Sequence, residues 1–166
     1  DMSAIRLAWY KVHKPVEFYC TMFTVAPKGF DASVITKGMQ NVRNVMADIQ
    51  KRGKDASPKE QDSIPVLQLV NEAMSRGIRF LPVNLAVSEA YIFRPENGAI
   101  RMPFSALPGL GDAAADSIIQ ARNEEPFFSI EDLQTRAKVS KGVIDILREA
   151  GALDDVEETD QLTFKF

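Results

Sequence analysis

The segment that most constrains this chain is a run of five residues, 107–111, with the sequence Leu-Pro-Gly-Leu-Gly. It leads directly into a stretch rich in alanine and isoleucine, residues 112–122. Glycine has no Cβ, so it can adopt a positive φ or let another backbone come close. The segment therefore predicts a tight bend that opens an α-helix, with Ala114, Ile118 and Ala121 on its packed face.

A bend with two glycines that opens a helix is the pattern of a helix-hairpin-helix motif. The first N–H groups of such a helix have no partner within the helix and lie at its positive end, where a phosphate can bind. Two further predicted helices, 129–137 and 140–150, would cover its apolar face. We therefore predict binding to the phosphate backbone of DNA. A purely structural or protein-binding hairpin is the alternative that the motif leaves open.

The last predicted helix opens with a second turn, in which Lys138 and Lys141 could meet another phosphate. Its predicted buried face consists of Val143, Ile146, Leu147 and Ala150. Ser129 is the predicted N-cap of the helix at 129–137, and Gly151 is predicted to end the helix at 140–150.

The net charge of −3 is unusual for a protein that binds nucleic acid. Residues 149–160 contain six acidic residues and no lysine or arginine. Because the whole chain carries −3 and this stretch carries −6, the rest carries +3. This is a mild positive charge, so we expect weak DNA binding that depends strongly on salt.

Residue counts exclude several other classes of protein. Cys20 is the single cysteine, so no disulfide can form within the chain and a reducing, cytoplasmic location is expected. His13 is the single histidine, which excludes a catalytic triad or a histidine-rich zinc site. There is no apolar run of about 20 residues, so we expect no membrane partner.

The first part of the chain has helical periodicity. Helices are predicted over residues 3–14 and 17–23, with Pro15 between them, and the aromatic residues of the second are expected in the core. One long helix is predicted with Asp31 as its N-cap and Gly53 at its end, and another is predicted to begin at Ser57-Pro58 and end at Gly77. Because the chain starts within apolar helical sequence, we expect a fragment of something larger.

Short apolar runs at 79–82, 91–94 and 99–102 follow. Asn97-Gly98 is a strong turn signal and predicts a β-hairpin between the last two. Arg94 and Arg101 are expected to be solvated.

The predicted fold is mostly α with a small β-hairpin or sheet, a helical segment followed by a helix-hairpin-helix domain. The chain ends in a predicted flexible acidic tether and a peptide whose apolar residues alternate, Leu162, Phe164 and Phe166. Such a peptide is typical of a strand that docks on another protein, although a tail folded back on its own domain is the alternative. The predicted boundaries are 1–77 for the helical segment, 78–103 for a β connector, 104–153 for the hairpin domain and 154–166 for tether and peptide.

Several segments together resemble the C-terminal part of the PolC-type bacterial DNA polymerase III α subunit. They are residues 3–19, the hairpin at 107–111, Phe128-Ser-Ile-Glu-Asp-Leu-Gln-Thr-Arg-Ala, Gly151-Ala-Leu-Asp and the closing Gln161-Leu162. The resemblance implies that residues 1–77 are the end of the fingers domain and 104–153 a duplex-binding domain. It also implies that the parent is a DNA-directed DNA polymerase, a nucleotidyltransferase whose Mg²⁺-binding aspartates lie in a palm domain outside this chain. The fragment alone would then be inactive.

The resemblance also implies three sets of binding residues. Backbone contacts with duplex DNA are expected around Gly109, Leu110, Gly111, Ala113 and Ala114. Carbonyls of Ser105, Leu107 and Leu110 would hold a monovalent cation. A sliding clamp would bind Gln161, Leu162, Phe164 and Phe166, although Phe164-Lys165-Phe166 departs from the common motif, which ends in adjacent leucine and phenylalanine.

A DNA repair or recombination protein with the same hairpin is the alternative from another class. A glycosylase of this kind would need a catalytic lysine or aspartate just beyond the hairpin, and Gln120, Asn123 and Glu124 do not supply one. An interaction module without a DNA role is the third alternative.

Overall fold

The fold is seen in a computed structural model that describes residues 2–26 and 30–159. Its helices are α1 (Met2–His13), α2 (Pro15–Val25), α3 (Ala32–Ile35), α4 (Met39–Arg52), α5 (Pro58–Ser75), α6 (Asp112–Glu124), α7 (Ile130–Ala137) and α8 (Lys141–Glu149). Strands β1 (Phe80–Leu81), β2 (Arg94–Glu96) and β3 (Ala99–Arg101) lie between α5 and α6. The predicted fold class is confirmed. Within the described ranges, none of the helices has the length and apolar character needed to cross a membrane.

The first two helices meet at Pro15, as predicted. Pro15 occupies the first turn of α2, where its missing N–H costs no helical hydrogen bond. The aromatic face of α2 lies in the core, since Tyr19 and Phe23 are buried and the Phe23 ring centroid lies 5.5 Å from that of Phe93. The apolar side chains of α1, in contrast, are exposed to solvent: Ile5, Leu7, Trp9, Tyr10 and Val12.

The single helix predicted from Asp31 to Gly53 is wrong, because the chain forms two helices there, α3 and α4. Asp31 caps α3 through its carboxylate, as predicted. Gly38 then adopts a φ of 98°, which no right-handed helix contains, and the chain turns a corner. The side-chain amide of Asn41 donates to the Val34 carbonyl oxygen at 2.8 Å across this corner. Apolar residues on both sides of the corner face the same core, so the helical spacing of the sequence concealed the break.

Helix α5 begins with the capping arrangement of Ser57 and Glu60. The Glu60 N–H donates to Ser57 Oγ and the Ser57 N–H donates to the Glu60 carboxylate, both at 3.1 Å. Arg52, at the end of α4, donates to the same carboxylate, and this hydrogen bond lowers the Glu60 pKa to about 2. Pro65 lies inside α5, which continues past it. Together these contacts fix α4 against α5.

The connector, residues 78–103, contains a three-stranded sheet in the order β1-β3-β2. Strands β2 and β3 form the predicted hairpin, whose turn residues Asn97 and Gly98 have φ values of 51° and 79°. Strand β1 pairs with β3 in parallel, with Phe80 opposite Ile100. The connector therefore joins α5 to the hairpin domain through a small sheet of three hydrogen-bonded strands.

Arg101 was expected to be solvated, and this is wrong. Its side chain is 15% exposed. It donates to the Pro82 carbonyl oxygen at 2.9 Å and pairs with the Glu96 carboxylate on the neighbouring strand. The counter-charge across the hairpin makes burial of the guanidinium tolerable. Arg94 is exposed, as expected.

The three helices after the connector pack on the same core as the rest of the chain. Their deepest residues are Ala115, Ile118 and Ala121 of α6, Leu133 of α7, and Ile144 and Leu147 of α8. Ala114 on α6, and Val143, Ile146 and Ala150 at α8, were predicted to be buried and are only partly so. A core-facing stripe on a helix is at least about 100° wide, so these positions form the edges of the predicted faces.

Candidate nucleic-acid interface

The bend before α6 is held by local backbone hydrogen bonds. Residues Phe104–Ala106 form one turn of 3₁₀ helix. The Leu110 N–H then donates to the Leu107 carbonyl oxygen at 3.2 Å. A 3₁₀ turn therefore precedes the bend, and α6, a helix of 13 residues, follows it.

The two glycines of the bend have different roles. Gly109 has a φ of 86°, and a Cβ there would lie 3.2 Å from Ile146 Cδ1 of α8. The positive φ therefore strongly favours glycine at this position, and a larger residue would also have to displace the end of the Ile146 side chain by a few tenths of an ångström. Gly111 has an ordinary φ of −72°, and a Cβ there would meet nothing within 4 Å. Its lack of a side chain leaves the surface of the bend open.

The predicted contact residues lie on one exposed surface, apart from one side chain. Gly109, Gly111 and Ala113 are exposed, and Ala114 is partly exposed. Leu110 is buried in the core, so it can offer only backbone groups to a ligand. Because neighbouring side chains do not cover the bend, its backbone is accessible to a large partner.

The start of α6 has no side-chain cap. Gly111 is its N-cap and forms no side-chain hydrogen bond, whereas Ser129 and Ser140 cap α7 and α8 through their hydroxyls. The first N–H groups of a helix lie at the positive end of its dipole. This end of α6 is therefore suited to an external anion.

Tyr91 of the connector contacts the first two turns of α6, a contact that no pattern in the sequence predicted. Its hydroxyl donates to Asp116 Oδ1 at 2.7 Å, with the Asp112 carbonyl oxygen a second acceptor at 3.2 Å. The hydrogen bond to the Asp116 carboxylate raises the pKa of Tyr91 to about 12. Tyr91 thus ties the connector to the exposed end of α6.

The second predicted turn lies between α7 and α8. Lys138 ends α7 with a left-handed φ of 55°, and both Lys138 and Lys141 are exposed. The Ser140 hydroxyl accepts the Val143 N–H at 3.3 Å, so this helix start is already capped. Compared with the start of α6, this turn therefore has one fewer free N–H group, and it adds two lysine side chains that a phosphate could contact.

The carbonyls predicted to hold a monovalent cation belong to the bend. The Leu107 carbonyl oxygen accepts one N–H and keeps a second lone pair. Ser105 lies in the 3₁₀ turn before Leu107, and Leu110 lies between the two glycines of the bend. The cation site stays a prediction.

Two arginines near the motif are engaged in structural hydrogen bonds. Arg122 donates to the carbonyl oxygens of Leu85 and Ser88 at 3.0 and 2.7 Å, and burial lowers its pKa. Arg136 donates to Ala121 and Glu125 carbonyl oxygens at 2.7 and 2.8 Å. Neither guanidinium is free to bind a phosphate. No local sequence signal marks these contacts, because the partners lie far away along the chain.

The acidic segment after α8 was predicted to be a flexible tether, and for residues 156–158 this is wrong. The Glu157 and Glu158 carbonyl oxygens accept N–H groups of the first turn of α7 at 2.8 and 3.1 Å. Arg148 pairs with the Glu158 carboxylate, and Val156 packs against the core. These partners hold the segment against α7. The predicted clamp-binding residues, Gln161, Leu162, Phe164 and Phe166, lie outside the described residues.

The geometry of the bend agrees with comparisons to known families. The helix-hairpin-helix motif family matches residues 77–162, which is more than half of the chain. The chain therefore belongs to the helix-hairpin-helix family.

The individual relatives that the chain matches share one protein name. The chain is 41% identical over 161 residues to a protein of Thermotoga petrophila named DNA polymerase III PolC-type. It is 42% identical over 162 residues to the protein of that name in Clostridium perfringens, and 39% identical over 162 residues to the one in Staphylococcus epidermidis. These matches cover 96–98% of the chain but only 11–12% of each relative. The resemblance to PolC-type polymerases is confirmed.

Proposed function

We propose that this chain is the duplex-binding part of a replicative DNA polymerase of the PolC type. Residues 1–77 would end the fingers domain, the connector would span 78–103, and residues 104–153 would bind the backbone of the newly made duplex. The observation that carries this proposal is the exposed, uncapped start of α6 behind the bend at Gly109 and Gly111. The relatives' names favour a polymerase over a repair protein.

Binding of this kind ignores base sequence. The candidate donors are backbone N–H groups of Gly109, Gly111, Ala113 and Ala114, and these can reach phosphate oxygens of any sequence. Lys138 and Lys141 would add two charge contacts from the second turn. With so few phosphates neutralised, we expect weak affinity that falls further as the salt concentration is raised.

Templated nucleotidyl transfer would be the work of the remainder of the polymerase, in the cytoplasm. The chain spans 11–12% of the length of its relatives. The resemblance assigns the Mg²⁺-binding aspartates to the palm. The fragment would hold the template-primer while the palm carries out the reaction.

We also propose that the C-terminal peptide, residues 161–166, binds a sliding clamp. The acidic segment supports a short connection, since its backbone is bonded to α7 as far as Glu158. Gln161 follows three residues after Glu158, and three extended residues span at most about 11 Å. The clamp would therefore lie close to the hairpin domain.

Gly111→Val tests the duplex-binding proposal. The substitution is compatible with the backbone at Gly111, and the added side chain would stand between the α6 N–H groups and a phosphate. We expect the affinity for duplex DNA to fall about tenfold for several unrelated sequences, the loss of roughly one hydrogen bond to a charged group. Fluorescence anisotropy at low salt measures this.

Ala47→Val, on the exposed surface of α4, is the matched control and should leave affinity unchanged. Equal duplex affinity of Gly111→Val and the unmodified chain would contradict the proposed binding site.

A further inference from the structure

We propose that Tyr91 is a positioning residue for phosphate binding, because it restrains the carboxylate of Asp116 beside the first turn of α6. This inference rests on the proposed duplex-binding function. It assigns a role in DNA affinity to a residue of the connector, outside the hairpin domain.

The need for such a restraint follows from the direction of helical side chains. Each Cα–Cβ bond in an α-helix tilts toward the N-terminus, so the Asp116 side chain leans toward the exposed start of α6. Asp116 is exposed and lies four residues after Asp112, the first residue of that helix. An unrestrained carboxylate there would approach the position of the phosphate and repel it.

The contacts of Tyr91 oppose that approach. Its hydroxyl donates to Asp116 Oδ1 at 2.7 Å and so directs the carboxylate toward the connector. The donated proton also offsets part of the negative charge. The hydroxyl keeps its proton at neutral pH, because its pKa is about 12. Tyr91 is 39% exposed, so loss of the hydroxyl leaves the packed part of the ring in place.

The expected effect is modest and measurable. Two unit charges about 8 Å apart in water repel each other enough to change a binding constant about twofold to threefold. This is an upper limit for Tyr91→Phe, because the substitution moves an existing charge and does not add one. Tyr91→Phe should weaken duplex binding by up to about twofold near 10 mM salt, and less at higher salt because the charges are screened. The Asp112 carboxylate is present in every variant compared, so its contribution cancels.

A double-mutant cycle separates this role from simple packing. Duplex affinity is measured for the unmodified chain, Tyr91→Phe, Asp116→Asn and the double variant. Tyr91→Phe should weaken binding in the chain with Asp116 and have no effect in the Asp116→Asn background. In an Asp62→Asn background, where an exposed charge is removed from α5, the effect of Tyr91→Phe should persist. Tyr10→Phe, on exposed α1, controls for loss of a hydroxyl elsewhere.

Each outcome decides the inference. Equal weakening by Tyr91→Phe in both Asp116 backgrounds would show that Tyr91 acts through packing or through the Asp112 carbonyl, and would overturn it. No change in affinity in any background would overturn it as well. Failure of the unmodified chain to bind duplex DNA would overturn the proposed function itself, which distinguishes the two failures.

Discussion

Removal of residues 161–166 should abolish binding of this chain to a sliding clamp and leave its duplex affinity unchanged. The peptide carries three apolar side chains, Leu162, Phe164 and Phe166, within its last five residues. Buried aromatic anchors dominate the binding energy of small interfaces, and the deletion removes them together. We expect at least a hundredfold loss in clamp affinity, measured by calorimetry or surface plasmon resonance with purified clamp.

The control for this deletion is the duplex affinity of the same truncated chain, which should change less than twofold. A milder variant, Gln161→Ala, should weaken clamp binding without abolishing it. Clamp affinity that is equal before and after the deletion would exclude the peptide as the binding element.

Arg136→Met should strongly destabilise the hairpin domain. Arg136 donates to the carbonyl oxygens of Ala121, Glu125 and Pro126 at the end of α6, and to Asp132 Oδ2 at 3.1 Å. Its guanidinium also lies 5.0 Å from the centroid of the Phe127 ring. Methionine would fill the space of the aliphatic part but donate to none of these acceptors. The Ala121 oxygen and the Asp132 carboxylate would each keep one backbone N–H, from Glu125 and Phe128, whereas the Glu125 and Pro126 oxygens would lose the guanidinium as a donor.

We expect the free energy of unfolding to fall by about 2–4 kcal/mol. Hydrogen bonds to charged groups contribute about 1.5–3 kcal/mol each, and the total is smaller than their sum because water can replace the guanidinium at some acceptors. Urea denaturation followed by circular dichroism measures the change. Arg94→Met is the matched control, because Arg94 is 57% exposed and its pair with Glu89 should contribute less than about 1 kcal/mol. If Arg136→Met lowered the free energy of unfolding no more than Arg94→Met does, the hydrogen bonds of Arg136 to the carbonyl oxygens at the end of α6 would not stabilise the domain as we expect.

Local signals in the sequence predicted much of the fold correctly. The turn at Asn97-Gly98 and the caps at Asp31, Ser57 and Ser129 all lie where they were predicted. Each depends on backbone preferences or hydrogen bonds within a few residues, so the sequence contains all of the partners. The corner at Gly38 escaped prediction because apolar spacing reports which side faces the core, and both helices face the same core.

Partners far apart along the chain could not be predicted in this way. Tyr91 contacts a carboxylate 25 residues later, and Arg136 contacts a carbonyl 15 residues earlier. The acidic segment looked unstructured because its composition is polar, yet its backbone carbonyls accept N–H groups of α7. Backbone hydrogen bonds of this kind leave no trace in side-chain composition.

The sequence by itself determined the bend at 107–111, the turn at Asn97-Gly98, the helix-rich fold class and the relationship to PolC-type polymerases. The first three depend on backbone preferences and apolar spacing, which act over a few residues, and the last depends on matching residues in several segments of the chain. Three relations were decided by the tertiary structure alone. Gly109 packs against Ile146 of α8, no neighbouring side chain among the described residues lies over Gly111 at the start of α6, and the Tyr91 hydroxyl bonds to Asp116 in the same helix. Each of these contacts joins residues far apart along the chain, so it depends on how distant segments pack against one another in the core.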